Sequence, residues 1–138
     1  MTIDEIRQLI KNDEHRCLEL KKSTGELKDG MQSACAFLNT EGGWLIFGIA
    51  PTSLKVTGQI VNDSTQRDIA QALAALEPAI DAKVQYIKVP EIEGHQLIAI
   101  HFEGWKDGQI PYTFQGRPYY RVESSTRAMP REMYDERL

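Results

Sequence analysis

The pattern of apolar and polar positions predicts a helix, a tight turn and a buried strand over residues 26–49. Apolar residues recur at helical spacing up to Leu38, which gives the helix one apolar face. Residues 39–43 contain asparagine and glycines, which tolerate the positive φ with which a chain leaves a helix sharply. Residues 44–49 then carry no polar side chain, as expected of a strand covered on both faces. We therefore expect this strand to form the centre of the fold.

The segments that flank this centre follow shorter patterns. Thr2 and Glu5 have the spacing of a capping box, which predicts a short first helix. Residues 17–21 alternate between apolar and polar, which predicts a first strand. Residues 62–64 can cap a third helix, whose apolar positions at helical spacing extend to Leu76.

Strand patterns dominate the C-terminal half. Residues 83–89 and 96–102 predict a β-hairpin. We expect a second hairpin between residues 112–114 and 119–122, and Pro130 suits the first turn of a final helix. This order of elements favours the α+β class, with a mixed β-sheet, helices packed mainly on one side, and a C-terminal β-hairpin.

Length and composition are typical of one globular domain. The chain has 138 residues, 41% of them hydrophobic and 26% charged, so a single domain over residues 1–138 can bury a core. No apolar run approaches the ~18 residues of a membrane span. The acidic N-terminus is unlike a signal peptide, so we expect a cytoplasmic protein without a membrane partner. The charged, abruptly ending last helix is compatible with the N-terminal part of a longer protein.

Charge is distributed unevenly along the chain. The formal net charge is −4, but residues 104–131 hold five basic and two acidic residues, a net charge of +3. The rest of the chain therefore carries −7. This asymmetry permits one polyanion-binding face on an acidic body. The acidic total equally permits a protein-interaction or dimerisation module.

Several kinds of site lack their sequence signature. Cys17 and Cys35 lie in apolar surroundings, which favours reduced core cysteines over a disulfide. His15, His95 and His101 show no metal-ligand spacing, so we expect no zinc site. No segment ends in the Gly-Lys-Ser/Thr that a P-loop needs.

Four segments taken together resemble one family. They are Glu-His-Arg-Cys-Leu-Glu-Leu-Lys at residues 14–21, the Asn-Thr-x-Gly-Gly turn at residues 39–43, Leu-Ile-Phe-Gly-Ile at residues 45–49, and Arg-x-x-Ser-Ser-x-Arg at residues 121–127. This set resembles the Schlafen AlbA-type domain from about residue 14 to residue 128. The resemblance implies an AlbA-like two-layer core.

The same resemblance implies a nucleic-acid-binding module. In bacterial transcriptional regulators the domain is described as DNA-binding, so DNA is the expected partner. Alba-type domains commonly work as dimers, which predicts a homodimer. In some Schlafens the domain is similar to an endoribonuclease whose metal site uses two glutamates and an aspartate. Glu14 and Glu19 match the two glutamates, whereas Ala50 stands where the aspartate is expected.

Basic and hydroxyl residues from both ends of the resemblance are candidates for a phosphate-contacting face. Arginine suits phosphate because its planar fork donates two parallel hydrogen bonds, and small hydroxyls commonly contact backbone phosphates. The candidates are Lys21, Lys22, Lys28, Arg117, Arg121, Ser124, Ser125 and Arg127. Nearby aromatic residues could stack on bases, namely Tyr112, Phe114, Tyr119 and Tyr120. The simpler alternative is a solvated hairpin whose tyrosines pack on the core.

The two matching carboxylates leave two interpretations open. Glu14 and Glu19 could hold Mg²⁺ or Mn²⁺, since hard cations prefer carboxylate oxygens. Two acids without a third more often form salt bridges, here Glu19 with Lys21 or Lys28. We favour a non-catalytic DNA-binding domain of a regulator, with no cofactor and no metal. The alternatives are a metal-dependent endoribonuclease and a protein-interaction module.

Overall fold

The computed structural model describes residues 1–12 and 15–138. Its helices are α1 (Ile3–Leu9), α2 (Leu27–Leu38), α3 (Asp63–Ala74) and α4 (Arg131–Glu136), and short 3-10 helices span Ile10–Asn12 and Thr24–Glu26. Its strands are β1 (Leu18–Lys21), β2 (Gly43–Phe47), β3 (Leu76–Glu77), β4 (Val84–Lys88), β5 (Gln96–Phe102), β6 (Thr113–Phe114), β7 (Tyr119–Val122) and β8 (Ser125–Ala128). None of the helices in these ranges is long and apolar enough to cross a membrane.

The main sheet has four strands in the order β1-β2-β5-β4. β1 runs parallel to β2, whereas β5 pairs antiparallel with both β2 and β4, so the sheet is mixed. Ile46 on β2 pairs with Leu20 on one side and Ala99 on the other. Leu45, Ile46 and Phe47 have no exposed surface, which confirms the predicted central strand.

Alternation along the strands gives the sheet two apolar faces. Leu45 and Phe47 lie in the core cluster formed with α2 and α3. Leu18, Leu20 and Ile46 lie on the other face, in the cluster formed with α1. Two long helices on one face and one short helix on the other confirm the α+β class with helices packed mainly on one side.

The predicted second hairpin forms between other strands. β6 pairs with β3, and β7 pairs with a strand that the sequence did not indicate, β8. Phe114 and Arg117 exchange two backbone hydrogen bonds of 2.8 and 3.1 Å across a tight turn. Pro118 follows at once and has no N–H to donate, so the ladder cannot continue toward β7. The protein therefore has a C-terminal β-hairpin, but its strands are β7 and β8.

The third helix is shorter than its apolar spacing suggested. α3 ends at Ala74, and Leu76 belongs to β3, where it pairs with Phe114. Leu76 is nevertheless buried in the same core cluster as Ile69 of α3. An extended backbone is favoured at this point because the residue before Pro78 is biased away from helical conformation.

Candidate nucleic-acid interface

The turn after α2 is a structural anchor for the C-terminal strands. Asn39 is fully buried, and its Nδ2 donates to the carbonyl oxygens of Tyr112 and Tyr119 at 2.9 and 2.8 Å. Its Oδ1 accepts from the Tyr112 N–H at 2.7 Å. Thr40 Oγ1 accepts from the Arg121 N–H at 3.1 Å. The Asn-Thr pair therefore positions β7, a role beyond the stop-and-turn chemistry that the sequence suggested.

The glycines of the same turn permit close backbone approach. Gly42 has φ +78°, and a Cβ there would lie 2.5 Å from the carbonyl oxygen of Phe102 at the end of β5. A side chain at this position is therefore disfavoured both by conformation and by space. The turn joins α2 to the central strand and sets the distance between them.

Arg121 is buried beneath the β7–β8 hairpin. Its side chain is 0% exposed, and the guanidinium lies 5.0 Å from the Phe37 ring centroid. Nη1 donates to Thr126 Oγ1 at 3.0 Å, and Nη2 donates at 3.0 to 3.1 Å to the carbonyls of His15 and Leu18 and to Glu19 Oε1. The sequence predicted that this arginine contacts phosphate. The structure instead places its donors inside the protein, where they connect the hairpin to β1.

Glu19 is the acidic partner in this buried network. Its Oε1 accepts from Arg121, while Oε2 accepts from Ser33 Oγ at 3.1 Å and lies 3.4 Å from Lys21 Nζ. The predicted ion pair between Glu19 and Lys21 is confirmed. Ser33 also lies 2.8 Å from Thr126 Oγ1, so the network reaches β8. The Lys21 side chain is only 15% exposed, which leaves little of it for a ligand.

Glu19 and Ala50 do not fit the three-acid metal site that the family resemblance implies. Both carboxylate oxygens of Glu19 already have protein partners, and Ala50 occupies the position expected for the third acid. Glu14 lies outside the described residues. Over residues 1–12 and 15–138, no three His, Cys, Asp or Glu side chains are grouped so that they could hold a metal ion.

Four of the predicted basic residues remain at the surface. Lys22 precedes α2, and Lys28 lies in the first turn of that helix. Arg117 lies in the turn after β6, and Arg127 lies on β8. All four side chains are exposed, and none has an ion-pair partner in the described part of the chain. Solvated cations of this kind are available to phosphate, unlike Arg121 and Lys21.

The β7–β8 hairpin has an inner and an outer face. Side chains directly opposite each other point to the same face, so Arg121 and Thr126 form an inner pair, whereas Tyr120 and Arg127 form an outer pair. Ser124 and Ser125 are exposed around the turn. The turn residue Glu123 has φ +52°, a left-handed conformation. Of the predicted phosphate-contacting residues on this hairpin, Arg121 is therefore buried, whereas Ser124, Ser125 and Arg127 are exposed.

The family model described as Schlafen, AlbA_2 matches residues 14–130. The chain belongs to this family. The match covers β1, the anchoring turn, the central strand and the hairpin. Membership supports a nucleic-acid-related domain. None of the curated proteins matches the sequence.

A solved structure shares the fold of this Schlafen AlbA_2 domain. It is the crystal structure of the DIP2311 protein from Corynebacterium diphtheriae, which superposes with a TM-score of 0.60 at 20% sequence identity. The similarity covers 88% of this chain but only 26% of the other, so the chain spans about a quarter of that protein. At this identity the similarity concerns the fold.

The four aromatic residues that the sequence predicted to stack on bases have different environments in this Schlafen AlbA_2 domain. Phe114 is buried in the core, and Tyr112 and Tyr119 pack against the same cluster. Tyr120 is half-buried and packs with neither core cluster. Of the four predicted stacking residues, only Tyr120 therefore presents its ring outside the described cores.

The two cysteines are held as thiols. Burial raises the pKa of Cys35 to about 12. Burial is the larger cause that raises the pKa of Cys17 above its ordinary value, and the nearby Glu41 carboxylate raises it further. Because the thiolate is the reactive form, neither environment activates a cysteine nucleophile. This agrees with the expectation of reduced cysteines, which are both free.

Proposed function

We propose that this domain binds DNA without cleaving it and serves as the recognition module of a transcriptional regulator. The observation that carries the proposal is that four of the predicted phosphate-contacting cations are exposed and have no ion pair in the described structure, namely Lys22, Lys28, Arg117 and Arg127. They belong to a chain whose family is nucleic-acid-related. Phosphate contacts supply most of the affinity of nucleic-acid binding, and they need solvated donors of this type.

The buried network supports the proposed interface indirectly. Arg121 is committed to Glu19, Thr126 and two β1-side carbonyls, so its contribution is to position the hairpin. Arg127 and the hydroxyls of Ser124 and Ser125 then lie on the exposed parts of that hairpin. The proposed binding surface thus uses the outer face and the turn of the β7–β8 hairpin.

The endoribonuclease alternative is less well supported by the geometry. A catalytic divalent ion needs several free carboxylate oxygens to fix it against substrate. Glu19 has its oxygens occupied by Arg121, Ser33 and Lys21, and Ala50 supplies no ligand. We therefore derive no hydrolytic step for this domain.

The proposal includes a homodimer. β4 lies at one edge of the main sheet, with β5 as its strand neighbour. Val84, Tyr86 and Ile87 on this edge are only half-buried. An edge strand with apolar side chains is a natural place for a second copy to pair.

The test is duplex binding measured by fluorescence anisotropy at several salt concentrations. The wild-type protein should bind a labelled DNA duplex with an affinity that falls steeply as salt rises, because counterions are released. Replacing Arg117 or Arg127 with alanine should weaken binding to all sequences and reduce the salt slope by about 0.9 for each lost phosphate contact. Arg131→Ala is the control, since that exposed arginine pairs with Asp135 on α4.

Three outcomes would count against the proposal. No binding at low salt would favour the protein-interaction module. Cleavage of structured RNA with Mn²⁺, lost in Glu19→Gln, would favour the endoribonuclease. A salt slope that is unchanged in both arginine variants would show that the hairpin is not the contact surface.

A further inference from the structure

We infer that the outer face of the β7–β8 hairpin is a stacking platform for an unpaired base, so that the domain prefers single-stranded DNA segments over continuous duplex. This inference rests on the proposed DNA binding and adds the form of DNA recognised. Its geometric basis is the outer pair of Tyr120 and Arg127, which lie directly opposite each other on adjacent strands.

The first support is that neither side chain of this pair has a hydrogen-bond or ion-pair partner in the described part of the chain, although Tyr120 is half-buried. No hydrogen bond from the Tyr120 hydroxyl is present in the described part of the chain, and the Tyr120 ring packs with neither core cluster. The Arg127 guanidinium has no ion-pair partner there, and it is not stacked on a described ring. By contrast, Arg121 on the inner face has five polar and ring partners.

The second support is the surface around the pair. Val122 and Ser125 form the next outer pair along the hairpin, and Val122 is 36% exposed. The outer face therefore presents one aromatic ring and one guanidinium beside small neighbours, and these are the side-chain types on which unpaired bases stack. Arginine also stacks on bases through its planar face while its N–H groups reach the adjacent phosphate.

The third support is that the platform is rigid. The inner face of the same two strands is fixed by Arg121 to Glu19 and by Thr126 to Ser33. Asn39 holds the start of β7 through the Tyr119 carbonyl. A base that stacks on Tyr120 therefore meets a preorganised surface and pays little to order it.

A duplex cannot use this platform in the same way. Its bases are already stacked within the helix, so the hairpin could offer it only phosphate contacts through Arg127 and its neighbours. An unpaired base presents its whole face to a ring, and such stacking is tolerant of sequence. The charge on Arg127 is complementary to both forms, whereas the Tyr120 ring discriminates between them.

The experiment compares single-stranded and duplex oligonucleotides of equal length, with 2-aminopurine at one position of the single strand. Binding of the wild-type protein should change the 2-aminopurine fluorescence, since stacking alters its emission. Tyr120→Ala should weaken single-strand binding about 5- to 150-fold, the range for loss of one aromatic stack, and leave duplex binding unchanged. Tyr120→Phe should keep both the affinity and the fluorescence change.

The matched control is Arg117→Ala, which removes a nearby exposed cation without altering the platform. It should weaken single-strand and duplex binding alike and leave the fluorescence change of the bound strand intact. Circular dichroism confirms folding of each variant, and the wild-type fluorescence signal tests stacking without any substitution.

The outcomes separate this inference from the proposed function. If the wild-type protein binds duplex DNA with a steep salt slope but gives no 2-aminopurine change, the platform is wrong and the DNA-binding proposal stands. The same holds if Tyr120→Ala weakens both DNA forms equally. If the wild-type protein binds neither form at low salt, both proposals are wrong.

Discussion

At the residue scale, Arg121 supports the proposed interface from inside the protein. Its guanidinium is withdrawn from solvent and satisfies two backbone carbonyls, a carboxylate and a hydroxyl. Glu19 neutralises it and receives further donors from Ser33 and Lys21. A buried ion pair is weak evidence for stability in itself, but breaking one partner is costly because the other stays buried and uncompensated.

We therefore predict that Glu19→Ala lowers the free energy of unfolding by about 3–5 kcal/mol. Glu91→Ala is the control, since Glu91 pairs with Arg7 at the surface, where water screens the charges, and its loss should be much smaller. Urea denaturation of these variants, of Arg121→Met and of the double variant Glu19→Ala/Arg121→Met measures the coupling between Glu19 and Arg121. Strictly additive losses in the double variant would contradict a direct interaction.

At the scale of elements, β2 organises the fold because it is paired on both edges and covered on both faces. Its neighbours are β1 and β5, and its side chains alternate between the α2–α3 cluster and the α1 cluster. The turn that precedes it carries Asn39, which connects β7 to α2. One segment therefore links the sheet, the main helix and the proposed binding hairpin.

Replacing Ile46 on β2 with alanine should lower the free energy of unfolding by about 2–5 kcal/mol, because it leaves a cavity in a fully buried site. Ile60→Ala is the matched control. That isoleucine is 65% exposed, so the same change should cost less than about 0.5 kcal/mol. If chemical denaturation shows similar small losses for both variants, β2 is not the interior strand described above.

At the scale of the whole molecule, the formal net charge is −4, whereas residues 104–131 carry a net charge of +3. Arg121 and Lys21 lie in the buried network, so the proposed interface has fewer exposed cations than the sequence suggested. A single copy therefore offers few phosphate contacts. Two copies related by symmetry would double them and extend the surface along the nucleic acid.

Sedimentation velocity should accordingly show a species of about twice the 15.7 kDa monomer mass at micromolar concentration. The expected cause is pairing of the open β4 edge with a second copy. Glu132→Ala on α4, far in sequence from β4, serves as a control that should leave the mass unchanged. Sedimentation at the monomer mass alone would exclude the homodimer at that concentration.

The sequence by itself determined the elements whose signals are local. The apolar run of β2, the capping box of α1 and the hairpin of β4 and β5 follow from side-chain period and turn residues within a few positions of each element. The family resemblance likewise rests on contiguous segments, and the family model confirms it over residues 14–130.

Only the tertiary structure decided how distant segments use their polar groups. Nothing local distinguishes Arg121 from Arg127, but the hairpin register turns the first toward Glu19, 102 residues away, and the second toward solvent. The same applies to β3 and β8, which pair with β6 and β7 in the folded chain. Burial and long-range pairing depend on what lies opposite in the folded chain, and a one-dimensional pattern carries no record of that neighbour.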